Sequence, residues 1–183
     1  MKAHLDLAKE YWSRLVRQGD VVIDATCGNG HDTLFLAKLG AKVTGMDIQS
    51  DAIETTKKLL DSHGHSSVEL FLGCHSSFPD RITPGSVRLV VYNLGYLPGG
   101  DKQKTTQTET TLASVAAAMK LLMPGGAVSI TCYPGHPEGS VEEDALLAFA
   151  AALLPQEWSC CHHRWLNRLN SPSLLILQKG QRT

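Results

Sequence analysis

Two hydrophobic periods alternate along this chain. "DVVIDAT" (20–26) is a short apolar run of strand type, and helical spacing takes over from 32 to 39. "AKVTGMDI" (41–48) reads as a second strand, and the spacing predicts a helix from Asp51 to Ser62 with Ile53, Thr56 and Leu60 inward. "SVELFLG" (67–73) is a third strand. "SVRLVVYNL" (86–94) is a fourth, apolar enough to lie centrally in a sheet covered on both faces. After the loop "GYLPGGDKQKTTQ" (95–107), Leu112, Val115, Met119 and Leu122 recur at helical spacing. "PGGAVSITCY" (124–133) supplies a turn and a fifth strand. Ser140 with Glu143 makes a capping-box pattern that opens a helix through Leu154. "EWSCCHHRWL" (157–166) and "SPSLLILQK" (171–179) close the chain as two strands joined by a short polar turn. At the start, Leu5, Ala8, Trp12, Leu15 and Val16 mark an amphipathic helix.

Five strand–helix units followed by a terminal pair of strands predict an α/β fold, with residues 1–183 as a single domain. The expected architecture is a Rossmann-like, doubly wound, mostly parallel seven-stranded sheet with right-handed crossovers. The last connection is too short for a parallel crossover, so one C-terminal strand should run antiparallel. Ligands of such sheets bind beyond the carboxyl ends of the strands, at the point where strand order reverses. The ends of strands one to four are therefore expected around one crevice.

Composition narrows the class. The chain is 43% hydrophobic and 19% charged with no low-complexity run, which describes a folded globular protein. A formal net charge of -1 gives no overall attraction to nucleic acid, so any such contact must come from local patches. No apolar run approaches the roughly 20 residues of a membrane span, and charges interrupt the N-terminus where a signal peptide would be apolar. The five cysteines are odd in number and scattered, as in a reduced intracellular protein. "CCHH" at 160–163 is not read as a metal site, because neighbours on a strand point to opposite faces and cannot close around one tetrahedral ion.

The chemistry starts at "DATCGNG" (24–30). Gly28 and Gly30 let the backbone bend and approach a ligand, and the helix that follows presents free N–H groups. A dinucleotide fingerprint needs a third small residue for close packing, and Thr33 stands here instead. Asp32 at the helix start would repel a pyrophosphate but suits an ammonium group. An amino acid carries both signs, which points to the methionine end of S-adenosylmethionine. The second strand ends "GMDIQ", placing Asp47 where it can accept both ribose hydroxyls, with Gln49 beside it. The third strand ends "GCHSSF", placing Cys74 and His75 near the adenine. Thr26, Asn29 and Ile48, from the same strand-end segments, complete the expected cofactor set together with Asn93.

Strand four ends in "NLGYLPGG" (93–100). Asn93 followed by Gly95 and Tyr96 is similar to the Asn-Pro-Pro-Tyr type motif of amine-methylating enzymes. The Asn93 side-chain oxygen can accept amine hydrogens while the Tyr96 ring packs against the substrate, so catalysis works mainly by alignment. Lys102 and Lys104 could touch phosphates. Tyr133 and His136 after strand five, with Asn167, Arg168 and Asn170 in the last turn, suit base stacking and edge hydrogen bonds.

With these residues in view, "DATCGNGHDTLFLA", "MDIQ", "YNLGYLPGGDK", "GHPEG" and "LNSPSLLILQK" together resemble the MnmM/YtqB family through nearly the whole chain. The resemblance implies S-adenosylmethionine-dependent methylation of the aminomethyl nitrogen on wobble 5-aminomethyl-2-thiouridine of tRNA, with the anticodon region as partner. It implies cofactor contacts from Asn29, Asp32, Asp47, Gln49 and His75, and amine contacts from Asn93 and Tyr96. No metal and no membrane partner is expected; a homodimer is left open. The expected location is the cytoplasm, or an organelle such as a plastid in a eukaryotic source. The chain departs from the family pattern at Tyr133-Pro134, where an aromatic residue and a histidine are expected, and at Arg168, where a shorter polar residue is usual. Competing readings are a methyltransferase acting on ribosomal RNA or protein, a nicotinamide-dependent oxidoreductase, and a non-catalytic cofactor-binding module.

Overall fold

A computed structural model describes residues 4–95, 106–168 and 170–181. The elements are α1 (His4–Leu15), β1 (Val21–Asp24), α2 (His31–Lys38), β2 (Lys42–Asp47), α3 (Ser50–Ser62), β3 (Glu69–Leu72), β4 (Val87–Asn93), α4 (Thr108–Leu121), β5 (Leu122–Cys132), α5 (Pro137–Ala151), β6 (Trp158–His163) and β7 (Ser173–Lys179). All seven strands join one sheet in the order β3-β2-β1-β4-β5-β7-β6. The pairs from β3 through β5 are parallel, and β7 runs antiparallel to both β5 and β6. The antiparallel strand is thus β7, inserted between β5 and β6. The chain leaves β1 toward β2 and β3 on one side and returns to β4 on the other, so the strand order reverses between β1 and β4.

Alternation along the central strands builds two cores. Val90 and Tyr92 of β4 face a cluster with Val115 and Ala118 of α4 and Leu146 and Ala150 of α5. Leu89 and Val91 face the other way, into a cluster with Ala8 and Trp12 of α1 and Leu36 of α2. Covering both faces is why β4 reads as a continuous apolar run. Trp12 is 1% exposed, and its indole N–H donates to Ser129 Oγ at 2.9 Å, which fixes α1 across the sheet.

Two boundaries differ from the sequence pattern. Leu122 has helical spacing, yet it opens β5 and pairs with Val87. Pro124 disfavours helical backbone at the residue before it, and the chain is already extended at Leu122 (φ -67°, ψ 133°). A register shift between Val87 and Leu89 absorbs the Pro124–Gly126 insert, and a Cβ at Gly126 would stand 2.9 Å from the Val87 carbonyl. The second difference is the start of α5. Its N-cap is His136, whose Nδ1 accepts from the Gly139 N–H at 3.1 Å, and Pro137 occupies the first turn. Ser140 and Glu143 therefore form no capping box. Glu143 instead accepts from the Ser173 hydroxyl and faces His162 Nε2 at 3.6 Å.

Candidate active site

The turn after β1 is locked from two sides. Gly30 is left-handed (φ 81°), and a Cβ there would stand 2.8 Å from Thr56 Oγ1 and 2.9 Å from Thr56 Cα. Thr56 Oγ1 in turn donates to the Gly28 carbonyl at 2.9 Å. Asp47, at the end of β2, accepts from Gly28 N–H at 3.0 Å through one oxygen and from Gln49 N–H at 2.9 Å through the other. Each carboxylate oxygen keeps a further lone-pair direction, enough for a pair of ribose hydroxyls.

Beneath the turn lies an acid that the sequence pattern did not single out. Asp24 is 1% exposed, accepts from Thr33 Oγ1 at 2.6 Å and accepts a long bond of 3.3 Å from Thr26 N–H. Burial first, then the charge of Asp32, raises its carboxyl from 3.8 to about 7. Thr33, one of the expected cofactor residues, is fully buried, and its hydroxyl holds Asp24 from below. The raised value has a definite sign. Asp24 contributes stability that is fully present below pH 3.8 and lost as pH rises toward about 7. Asp24→Asn is expected to flatten that dependence: denaturant unfolding at pH 5 and pH 8 should show a smaller loss between the two for the variant than for wild type.

Asp32, in the first turn of α2, is the centre of a second cluster. One of its oxygens meets Lys9 Nζ of α1 at 3.2 Å, and the other accepts from Asn93 Nδ2 at 3.3 Å. An ionised carboxylate only accepts, so Asn93 must turn its amino group to Asp32, leaving its carbonyl oxygen for another donor. The Asn93 backbone is pinned as well, its N–H donating to Thr26 Oγ1 at 2.7 Å. Tyr133 follows β5; burial and then Asp32 push its phenol up to about 12, against a smaller opposing effect of the Asn93 side chain. Its hydroxyl lies 3.4 Å from His4 Nε2, and the two rings meet edge to face. Burial lowers the His4 pKa, so a neutral imidazole sits there near pH 7. His4 and Lys9 thus bring the N-terminal helix to the site, which the sequence pattern did not anticipate.

Among the residues expected near the base, Ile48 is 68% exposed just after β2, an apolar surface beside Asp47. Cys74 accepts from Ser76 Oγ at 3.1 Å and lines an open hollow of about 520 Å³ with Phe71, Phe78 and Arg81. His75 packs edge to face on Tyr92 at 5.9 Å between centroids, and its buried Nε2 has no hydrogen-bond partner. Burial lowers its pKa. Asn29 is half-buried in the glycine turn.

Tyr96, Lys102 and Lys104 lie outside the described residues. The flanks of that segment are tied together: Gly95 N–H donates to Thr106 Oγ1 at 3.0 Å, and Thr106 Oγ1 donates to Glu142 Oε2 at 2.8 Å. Thr111 Oγ1 donates to the other Glu142 oxygen at 2.6 Å. Glu142, another residue missed in the sequence, so fixes the backbone two positions after Asn93. The C-terminal turn carries Asn167, Arg168 and Asn170, all exposed. It lies against the loop after β5, since a Cβ at Gly135 would stand 3.5 Å from the Asn170 carbonyl. The Arg168 guanidinium sits 5.6 Å over the Trp165 ring. His136 faces inward as the α5 cap.

The family model described as "Putative rRNA methylase" matches residues 43–179. The chain belongs to the MnmM/YtqB family of methyltransferases. A member from Arabidopsis thaliana, named tRNA (mnm(5)s(2)U34)-methyltransferase, chloroplastic, is 42% identical across 98% of this chain and 70% of its own length. A solved "putative rRNA-methylase" from Clostridium thermocellum superposes with a TM-score of 0.93 at 35% identity, covering 98% of each chain. A "putative methyltransferase" from Streptococcus mutans, solved in complex with SAH, gives 0.88 at 32% identity over 98% of this chain and 99% of that one. The MnmM/YtqB chain described here carries residues that fit S-adenosylmethionine. Asp47 offers free acceptor directions, the turn admits no Cβ at Gly30, and Asp32 and Asp47 flank it with the negative potential a sulfonium favours. Asp32, in the first turn of α2, opposes a pyrophosphate at the helix N-terminus and so argues against the nicotinamide dinucleotide reading.

Proposed function

We propose that this chain methylates the aminomethyl nitrogen of 5-aminomethyl-2-thiouridine at the wobble position of tRNA. S-adenosylmethionine supplies an electrophilic methyl group on a sulfonium. Asp47 and the glycine turn would hold its nucleoside, Asp32 its ammonium, and Ile48, Cys74 and His75 the base. One observation carries the substrate side: an amide at the end of β4 whose amino group is fixed on Asp32. The freed Asn93 oxygen is then an acceptor for the hydrogens of a neutral amine, and that contact aims the nitrogen lone pair. A nitrogen that stays protonated has no lone pair to offer, and the acids around the turn must not hold it as an ammonium; Asn93 and the Tyr133 hydroxyl provide neutral partners instead. The family relative from Arabidopsis carries this modification in its name.

An RNA partner follows from the family, and we place the anticodon region against Tyr133 and the turn of Asn167, Arg168 and Asn170. Arg168 stacked on Trp165 presents a cation and a ring edge suited to an unpaired base. No helix among the described residues is long and apolar enough to cross a membrane; we place the protein in the cytoplasm or, in a eukaryote, an organelle. The test is nucleoside mass spectrometry of tRNA from cells lacking the protein. The expected result is loss of 5-methylaminomethyl-2-thiouridine with accumulation of its aminomethyl precursor, reversed on re-expression. Unchanged tRNA nucleosides with a missing methyl in ribosomal RNA would move the substrate to the ribosome.

A further inference from the structure

We propose that Lys9 of α1 binds the α-carboxylate of the methyl donor, forming with Asp32 a split ion pair that takes the whole zwitterionic end of the cofactor. This rests on the reading of the crevice as an S-adenosylmethionine site. The need for a cation is electrostatic. Asp24, Asp32 and Asp47 crowd one turn, and burial together with the charges of Asp32 and Asp47 raises the proton affinity of Asp24. That field attracts an ammonium and a sulfonium but repels a carboxylate. An amino acid cannot present its ammonium without its carboxylate, so a donor for that carboxylate must stand within a few ångströms of the ammonium site, and a cation offsets this field most directly.

Lys9 is the cation in place. Its Nζ lies 3.2 Å from Asp32 Oδ1, on the opposite side of that carboxylate from the Asn93 amide. It is the more open member of the pair, with its side chain 29% exposed against 10% for Asp32. One of its three N–H groups suffices for Asp32, and the Phe35 ring, 5.4 Å from Nζ, supports the stem side without accepting a conventional hydrogen bond. The position is rigid because α1 is anchored through the Trp12 bond to Ser129, one helical turn further on. A carboxylate on Lys9 and an ammonium on Asp32 would complete a ring of alternating charges.

The test is calorimetric binding of S-adenosylmethionine and of decarboxylated S-adenosylmethionine, which keeps the ammonium and lacks the carboxylate. Wild type, Lys9→Met and Lys9→Arg are compared, with melting curves to show that each is folded. Lys9→Met is expected to weaken S-adenosylmethionine by about tenfold or more. Its affinity for the decarboxylated form should be unchanged or higher, and Lys9→Arg should restore most of the loss. Equal weakening of both ligands, which a purely structural role predicts, would overturn the proposal. So would unchanged or tighter binding of S-adenosylmethionine, which is the result if Lys9 only neutralises Asp32. Failure of wild type to bind either ligand would overturn the cofactor assignment itself, and this inference with it.

Discussion

Asn93→Ala is expected to lower methyl transfer by about 100-fold while leaving affinity for S-adenosylmethionine close to wild type. The asymmetry follows from where Asn93 sits. Its backbone N–H is held by Thr26 and its amino group by Asp32, so the side-chain oxygen is presented in one direction. Deleting the amide removes the acceptor that orients the amine. Asp32 still has Lys9 as a partner, so the ammonium site survives. Asn93→Asp should be at least as damaging, because it sets a second negative charge 3.3 Å from Asp32 and offers an amine a reason to stay protonated. Single-turnover rates with undermodified tRNA, beside calorimetry for the cofactor, separate the two effects. Equal loss in both would reassign Asn93 to cofactor binding alone.

Asp47→Ala acts on the other quantity. A charge-assisted hydrogen bond from a ribose hydroxyl is worth about 1.5–3 kcal/mol, so loss of the equivalent of even one should weaken the cofactor by roughly 10- to 150-fold. Part of the loss is indirect, since Asp47 also ties Gly28 and Gln49 in place. Asp47→Asn keeps the shape and one acceptor oxygen. It should fall between wild type and alanine in affinity, with a melting temperature nearer to wild type. An Asp47→Ala protein that stays folded and binds the cofactor normally would defeat the ribose assignment.

Much of this site is written locally. An apolar run ending in Asp, a Gly-x-Gly turn, and an acid at the next strand end are each contained in a few residues, so the β1 turn and Asp47 are legible without coordinates. Asn93 is legible for the same reason, at the end of the most apolar strand. The groups that were missed act across long stretches of chain. His4 meets Tyr133 over 129 positions, and Lys9 reaches Asp32 only because Trp12 docks α1 on the sheet. Glu142 sits inside α5, and nothing nearby in the chain shows that it will receive Thr106 and Thr111. The boundary errors have a different origin. At Leu122 a proline two residues on overrode helical periodicity, and at α5 the His136–Pro137 pair made an earlier cap than Ser140 could. Asp24 reads as a strand residue, and only its complete burial reveals a carboxyl that holds its proton up to about pH 7.

The account is tested most directly by incubating the purified protein with methyl-labelled S-adenosylmethionine and tRNA bearing 5-aminomethyl-2-thiouridine, then digesting the tRNA to nucleosides. The label should appear in 5-methylaminomethyl-2-thiouridine, on the exocyclic nitrogen, and nearly vanish with Asn93→Ala. Label that stays off the tRNA, or enters a different nucleoside at an undiminished rate in that variant, would contradict it.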